Sequence, residues 1–496
     1  MDTTFSKNLE QSGEYGTVVQ LHPPIAILVG LPSAHLHEIV VFETGQIGEI
    51  FVLEKEQVQV LIFSSDPLSV GVKATRTNKF LTVPVGEQTL GSAIDPIGNP
   101  ISQQMPYSAS EKENEIDIAP LGLSFRKKIT RPFLTGVSLI DMMIPLGKGQ
   151  KELIIGDRKT GKTSFLLNTI KNQVLQGSVV VYAAIAKNKS DIKKVIEFLK
   201  AEKLDKQTVV VATSSYNSPS LIYLTPYSAM TIAEYFRDQG RDVLVVLDDL
   251  STHAKFYREI SLMAKRFPGR ESYPGDIFYI HARLLERAGN YLINGKETSV
   301  TVLPVAELIE GDFTGYVATN LMSMTDGHIY FDSNIYYKGR RPAINISLSV
   351  TRVGRQAQSS LVRSINRELT AFLALYDKMG NLSHFGAELT DTVKQILSTG
   401  ENVYDFFEQS MSTIIPLNIQ LVLFAMIWLK MFEKVDRYSI ASYRDTFITA
   451  FQDKAVEAFF EQIVKAENFN QLLANVAKNK DKLLSICKIN SRLNQK

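Results

Sequence analysis

Residues 153–170 read LIIGDRKTGKTSFLLNTI, and the fold of the whole chain follows from how this stretch is read. Apolar Leu153-Ile154-Ile155 suits a buried strand, Ser164 to Ile170 suits a helix, and between them stand Gly156 and then Gly161-Lys162-Thr163. Glycines at these places let successive backbone N–H groups curl around phosphate oxygens, while Lys162 reaches the outer phosphates and the Thr163 hydroxyl suits magnesium. The helix that follows offers its dipole and unpaired amides to the same anion. Gly156, Asp157, Arg158, Lys159, Thr160, Gly161, Lys162, Thr163 and Ser164 are therefore the candidate phosphate contacts.

Outward from the loop, continuous apolar runs recur at 179–185 (VVVYAAI), 208–214 (TVVVATS), 243–247 (VLVVL) and 299–305 (SVTVLPV), alternating with helical patterns. Runs without alternation suit strands covered on both faces, which predicts a parallel α/β sheet. Upstream, from Gly16 to about Val85, short apolar runs separated by Gly, Pro or charged turns predict a small β-barrel. The stretch from Val85 to Asp117, rich in glycine and proline and then in acids, reads as a linker. From about Ser359 strand runs vanish and helical spacing takes over. The expected organisation is multidomain: a short segment 1–15, an N-terminal β-barrel 16–86, a central α/β P-loop nucleotide-binding domain 87–358 and a C-terminal α-helical domain 359–496.

The totals narrow the function classes. A chain of 496 residues is long enough for about three domains of ~150 residues. A formal net charge of +2 provides no field for nucleic acid or a membrane surface. One cysteine, Cys487, excludes an intramolecular disulfide. The start, MDTTFSKNLEQSGEYG, has neither the basic nor the apolar region of a secretory signal, which suits the cytoplasm. The most apolar stretch, Ile414–Leu429, is interrupted by Pro416, Asn418 and Gln420 and reads as a buried helix, not a membrane span. The Lys-rich segment 478–482 reads as a solvated helix end.

The run Val243–Leu247 delivers Asp248 and Asp249 at its carboxyl end, where ligands of parallel sheets bind, so Asp248 is a candidate for the magnesium shell. Hydrolysis also needs a side chain with acceptor character to orient water, commonly a glutamate after the strand that follows the phosphate-loop helix. Lys187 occupies that neighbourhood, and an ammonium has no acceptor. The residues thus point to a site that retains nucleotide, with Glu234, Glu259 or Glu307 as the alternative bases.

MIPLGKGQKELIIGDRKTGKTSFLLNTIKN (143–172), LDDLSTHAKFYREISLMAKRFPGRESYPGDIFYIHARLLERAG (247–289), YVATNLMSMTDGHI (316–329) and YYKGRRPAINISLSVTRVG (336–354) closely resemble the alpha subunit of rotary F-type ATPases. The similarity runs from about Gly16 to at least Gln409. The resemblance implies a RecA-like core that binds ATP or ADP with Mg2+. It also implies catalytic beta-type subunits alternating with this chain in a hexamer around a gamma-type shaft. It implies no nucleic acid, and attachment to the inner face of the cell membrane only through other subunits. By position, Tyr336, Arg341, Pro342, Gln409 and Met411 fall where the family lines its adenine pocket. Ser323 and Arg352 match residues extended to the neighbouring catalytic site, Arg352 as an arginine finger. Tyr336 and Tyr337 could instead be core aromatics, and Arg352, after an apparent strand Ala343–Val350, an ordinary surface arginine.

Lys187 and Met411 depart from the glutamines usual in the family. The barrel also begins sooner after the N-terminus, where the family docks its peripheral stalk, which leaves two alternatives: an ordinary ATP synthase, or a variant rotary ATPase that hydrolyses ATP to drive something else. The competing readings are a catalytic homohexameric P-loop ATPase, such as a translocase or export ATPase, and a scaffold with a vestigial loop.

Overall fold

The computed structural model describes residues 3–64, 66–107, 110, 112–384, 390–410, 413–432 and 437–491. They fall into two compact units, one of residues 1–128, 149–154 and 174–326, the other of 129–148, 155–173 and 327–496.

In the first unit, six strands close an antiparallel barrel: β1 (Tyr15–His22), β2 (Ile25–Val29), β3 (Glu38–Phe42), β4 (Ile47–Leu53), β5 (Val58–Ile62) and β6 (Lys73–Phe80). Their order is β1-β2-β5-β4-β3-β6. Val18, Ala26, Leu28, Val40, Phe42, Ile50 and Val60 fill the interior. Ile25, Ile39, Phe51 and Leu61 pack instead with Leu224, Tyr257 and Ile260 of two helices. Burial on both sides explains runs such as EIVVF that do not alternate. The short segment before the barrel carries a helix, Thr3–Ser12, that buries Phe5 and links Ser12 Oγ to Thr75 Oγ1 at 2.8 Å.

The same unit holds the expected parallel sheet. Strand Val179–Lys187 lies between Thr208–Ser214 and Val243–Asp248, the latter pairs with Lys296–Glu307, and Ala93–Ile94 extends the far side. Val179, Val180, Val181, Val245 and Val246 have no solvent exposure, and valine's branched side chain suits this doubly covered, pleated surface. Parallel register sets Ala184 beside Asp248, so the carboxyl ends of these two strands emerge together. Helix Pro219–Asp238 covers the sheet; it starts with Pro219 and with Ser218 Oγ accepting from the Leu221 N–H.

In the second unit, helix Lys162–Leu175 follows the phosphate loop, and strand Gly327–Phe331 pairs antiparallel with the two residues Val350–Thr351. The strand expected over Ala343–Val350 does not form. Only Ile344 bridges to Phe331, after which Asn345 turns the chain: its Oδ1 accepts from the Leu348 N–H at 3.1 Å and its carbonyl from the Ser349 N–H. Asparagine side chains capture nearby backbone in this way, and here that outweighs the alternating pattern. The remainder is helical, as expected: Ser360–His384, Asp391–Phe407, Leu417–Trp428, Arg437–Ala450, Lys454–Val464, Phe469–Lys478 and Lys480–Ser491. Leu417–Trp428 is buried almost all round, with Phe424 stacked on Phe469 at 5.7 Å and against Phe406 at 5.5 Å. Among the described residues no helix is long and apolar enough to cross a membrane.

Candidate nucleotide site

The phosphate loop belongs to the second unit. Gly156 ends its strand at φ 153°, and a Cβ there would collide with the Phe331 carbonyl, so only glycine fits. Lys159 at φ 62° and Gly161 at φ 102° turn the loop before the helix begins at Lys162. Thr160 Oγ1 donates to the Asp157 carbonyl at 2.8 Å and so braces the loop from within. Lys162 is buried, and its ammonium donates to the Gly156 and Asp157 carbonyls at 2.7 and 2.6 Å, which draws the side chain back across the loop. Phe165 packs on Phe331 at 5.7 Å and anchors the first helical turn. Arg158, Lys159 and Thr163 stay exposed, leaving two further cationic side chains and a hydroxyl at the helix start. Loop amides, the helix start and a buried ammonium lie on one turn, an arrangement whose chemistry suits an anion.

The expected adenine wall lies in the same unit. Arg341 sets its guanidinium over the Tyr336 ring, 3.6 Å from the centroid, and donates to the Tyr336 carbonyl at 2.8 Å, so each fixes the other. Tyr337 is 84% exposed and Tyr336 half-buried, which argues against both being core aromatics. Arg341 and Pro342 also line a cavity of about 280 Å³ with Leu139, Ile344, Tyr404 and Phe407. Gln409 is buried and its amide is committed to backbone: Oε1 accepts from Ser138 N–H at 3.1 Å, and Nε2 donates to the Gly136 and Thr413 carbonyls at 2.7 and 2.6 Å. It ties its segment to the turn after Phe133, which Asp141 holds by accepting from the Thr135 and Gly136 amides and from Gln420. Met411 lies outside the described residues.

Asp248 and Lys187 belong to the first unit. Lys187 Nζ lies 2.7 Å from Asp248 Oδ1 and 3.1 Å from Asp249 Oδ2. Tyr182, on the Lys187 strand, donates its hydroxyl to Asp248 Oδ2 at 2.7 Å, and Asp249 Oδ1 caps the next helix by accepting from the Thr252 N–H at 2.6 Å. Burial works against the Lys187 charge, but Asp248 and Asp249 outweigh it and raise its pKa further above the ordinary lysine value. Burial, with the Asp248 charge second, likewise pushes the Tyr182 phenol well up, so it remains a donor. Tyr182 and the Asp249–Thr252 cap escaped sequence reasoning; an apolar strand with a tyrosine in it carries no signal of where the hydroxyl goes.

The alternative bases fare differently. Glu234 is buried and clamped by Arg287, whose Nε lies 3.2 Å from it, and by Arg237 Nη1 at 3.3 Å. Glu259 is exposed on helix Leu250–Met263, and the Glu307 N–H donates to Ser251 Oγ at 3.0 Å. Ser323 is exposed near the end of helix Tyr316–Met324 in the first unit, its hydroxyl donating to the Thr319 carbonyl at 2.7 Å. Arg352 is exposed beside strand Val350–Thr351 in the second unit.

Residues 136–351 match the nucleotide-binding domain of the ATP synthase alpha/beta family, and residues 358–481 match the C-terminal domain of the ATP synthase alpha/beta chain. A protein of Mycoplasmopsis synoviae named ATP synthase subunit alpha is 37% identical over 98% of this chain and 91% of its own length. The proteins of that name from Mycoplasma pneumoniae and Aquifex aeolicus are each 40% identical, over 82% and 83% of this chain and 78% and 82% of their own lengths. Matching domains over most of the sequence, with relatives of 37–40% identity covering most of both chains, mean that the chain belongs to the ATP synthase alpha/beta family.

Proposed function

We propose that this chain is the nucleotide-holding, noncatalytic alpha-type subunit of a heterohexameric rotary ATPase, retaining ATP or ADP with Mg2+ while adjoining beta-type subunits hydrolyse or make ATP. The observation that carries this reading is the Lys187 ammonium bonded to Asp248 and Asp249, in the neighbourhood where a hydrolysing site needs an acceptor. Lys162 meets the outer phosphates, the loop amides from Arg158 to Ser164 wrap the rest, and the Tyr336–Arg341 pair stacks the base. The exposed Thr163 hydroxyl is a hard oxygen donor suited to magnesium, with Asp248 in the surrounding shell. Magnesium, when bound, would spread the phosphate charge.

Two residues serve a site this chain does not own. The exposed Arg352 supplies a guanidinium to the charge that develops on the γ-phosphate in the neighbouring beta-type subunit, and Ser323 accompanies it. The chain alternates with beta-type subunits around a gamma-type shaft and approaches the inner membrane face only through other subunits.

The test is nucleotide retention and phosphate release by the purified chain. ATP is retained and turnover stays far below the enzyme median of about 10 per second. Lys162→Ala abolishes retention. Steady release near that median, or retention unchanged in Lys162→Ala, overturns the reading.

A further inference from the structure

Both oxygens of Asp248 and both of Asp249 are engaged by this chain's own donors: Lys187 at 2.7 and 3.1 Å, Tyr182 at 2.7 Å and the Thr252 N–H at 2.6 Å. The Asp248 and Asp249 side chains are 6% and 3% exposed. Two adjacent buried charges need a cation, because neither solvent nor each other can stabilise them. Magnesium commonly supplies that charge to such acids, binding oxygen at about 2.0–2.1 Å. Here it would have to take the lone pairs that Lys187 uses and stand against a charge already fixed there. Lysine is protonated at neutral pH without assistance, and its three N–H donors leave no acceptor behind.

We propose that Lys187 is a built-in cation that stands in for a divalent metal at Asp248 and Asp249: while it is present the pair takes no metal directly, and the chain holds nucleotide with weak dependence on magnesium. The second clause rests on the nucleotide-holding reading above; the first does not. Thr163 keeps its suitability for the ion that accompanies the nucleotide, but that ion is no longer what neutralises the acids. The lysine thereby separates two tasks that one metal performs in a hydrolysing site, holding the acids and orienting the phosphates. It keeps the first permanently and makes the second dispensable for retention.

The experiment titrates Mn2+ into the full chain without nucleotide, reading free manganese by electron paramagnetic resonance. Wild type and Lys187→Arg show the same manganese binding as Asp248→Asn, whereas Lys187→Gln gains a site that Lys187→Gln/Asp248→Asn loses. In parallel, ATP affinity is measured in magnesium and in EDTA: the two values differ by less than about tenfold in wild type, and the gap widens by at least about tenfold in Lys187→Gln. A wild-type manganese site removed by Asp248→Asn overturns the proposal, and this comparison stands even if Lys187→Gln does not fold. So does a folded Lys187→Gln with no new site and an unchanged gap. Failure of wild type to bind ATP in either buffer overturns the nucleotide-holding reading instead, while the manganese titration still decides the role of Lys187.

Discussion

His253 Nδ1 and His281 Nε2 face each other at 3.1 Å with both rings buried. His253 Nε2 lies 3.0 Å from the Tyr223 carbonyl and must donate there, so with His253 neutral its Nδ1 accepts from His281 Nε2, and protonating His253 would set two donors against each other unless His281 gave up that proton. Tyr223 stacks on His253 at 5.4 Å and Tyr227 flanks it at 6.2 Å. Burial lowers His253 to about 4, outweighing the Tyr223 carbonyl and the Asp249 charge, and burial followed by the His253 charge lowers His281 well below its ordinary value. Groups with depressed basicity when folded lend stability that is complete above the unfolded pKa of about 6.5 and is lost as pH falls through the folded value. By pH 5 His253 is expected to withdraw about 2 kcal/mol, and His281 acts in the same direction. Denaturant midpoints of the chain at pH 7.5 and pH 5 check this; a midpoint unchanged between them, or a drop undiminished in His281→Gln, contradicts it.

Glu234 is the second case. Arg287, 1% exposed, relies on it, so Glu234→Gln leaves a buried cation short of its partner. Such losses typically amount to about 3–5 kcal/mol. The expected result is a large fall in melting temperature with ATP retention kept below the transition. Loss of turnover in an assembled complex without loss of stability would instead mark Glu234 as a base.

Gly156→Ala tests the phosphate loop from its backbone. The φ of 153° and the Phe331 carbonyl leave no room for a Cβ, so the loop must move. Strain of this kind costs about 1–3 kcal/mol. ATP affinity is expected to fall by at least about tenfold with a modest loss of thermal stability. Unchanged affinity by calorimetric titration would show that the loop's path does not matter to binding.

Arg352 is expected to act at a distance from this chain's own nucleotide. Arg352→Ala leaves ATP retention by the isolated chain nearly intact, yet lowers turnover of the reconstituted complex by roughly 10³ to 10⁵, the usual worth of an arginine finger. Arg352→Lys rescues little, because an ammonium cannot reproduce the planar fork. The two assays are run on one preparation; retained turnover, or lost ATP binding, assigns Arg352 another role.

The phosphate loop and the buried strands were legible in the sequence because their causes are local. Gly156 and Gly161 answer to their own φ angles, Lys162 and Thr163 to the start of one helix, and runs such as VVVYAAI to burial on both faces of one strand. The buried helix Leu417–Trp428 was equally plain, since apolar residues interrupted by Pro416 and Gln420 suit a core and not a membrane. Local pattern misled at Ala343–Val350, where Ile344, Ile346 and Leu348 alternate as in a strand but the Asn345 side chain closes a turn.

What Lys187 does was decided only by tertiary structure. The sequence places a lysine after a strand. The parallel register of Ala184 with Asp248 carries it to two acids, the farther of which, Asp249, lies 62 residues away from it along the chain. Likewise Glu234 is a possible base until Arg287, 53 residues on, closes over it. The physical reason is the same in both cases. A titratable group takes its role from the charges and burial around it, and long-range packing, not its neighbours in sequence, brings those together.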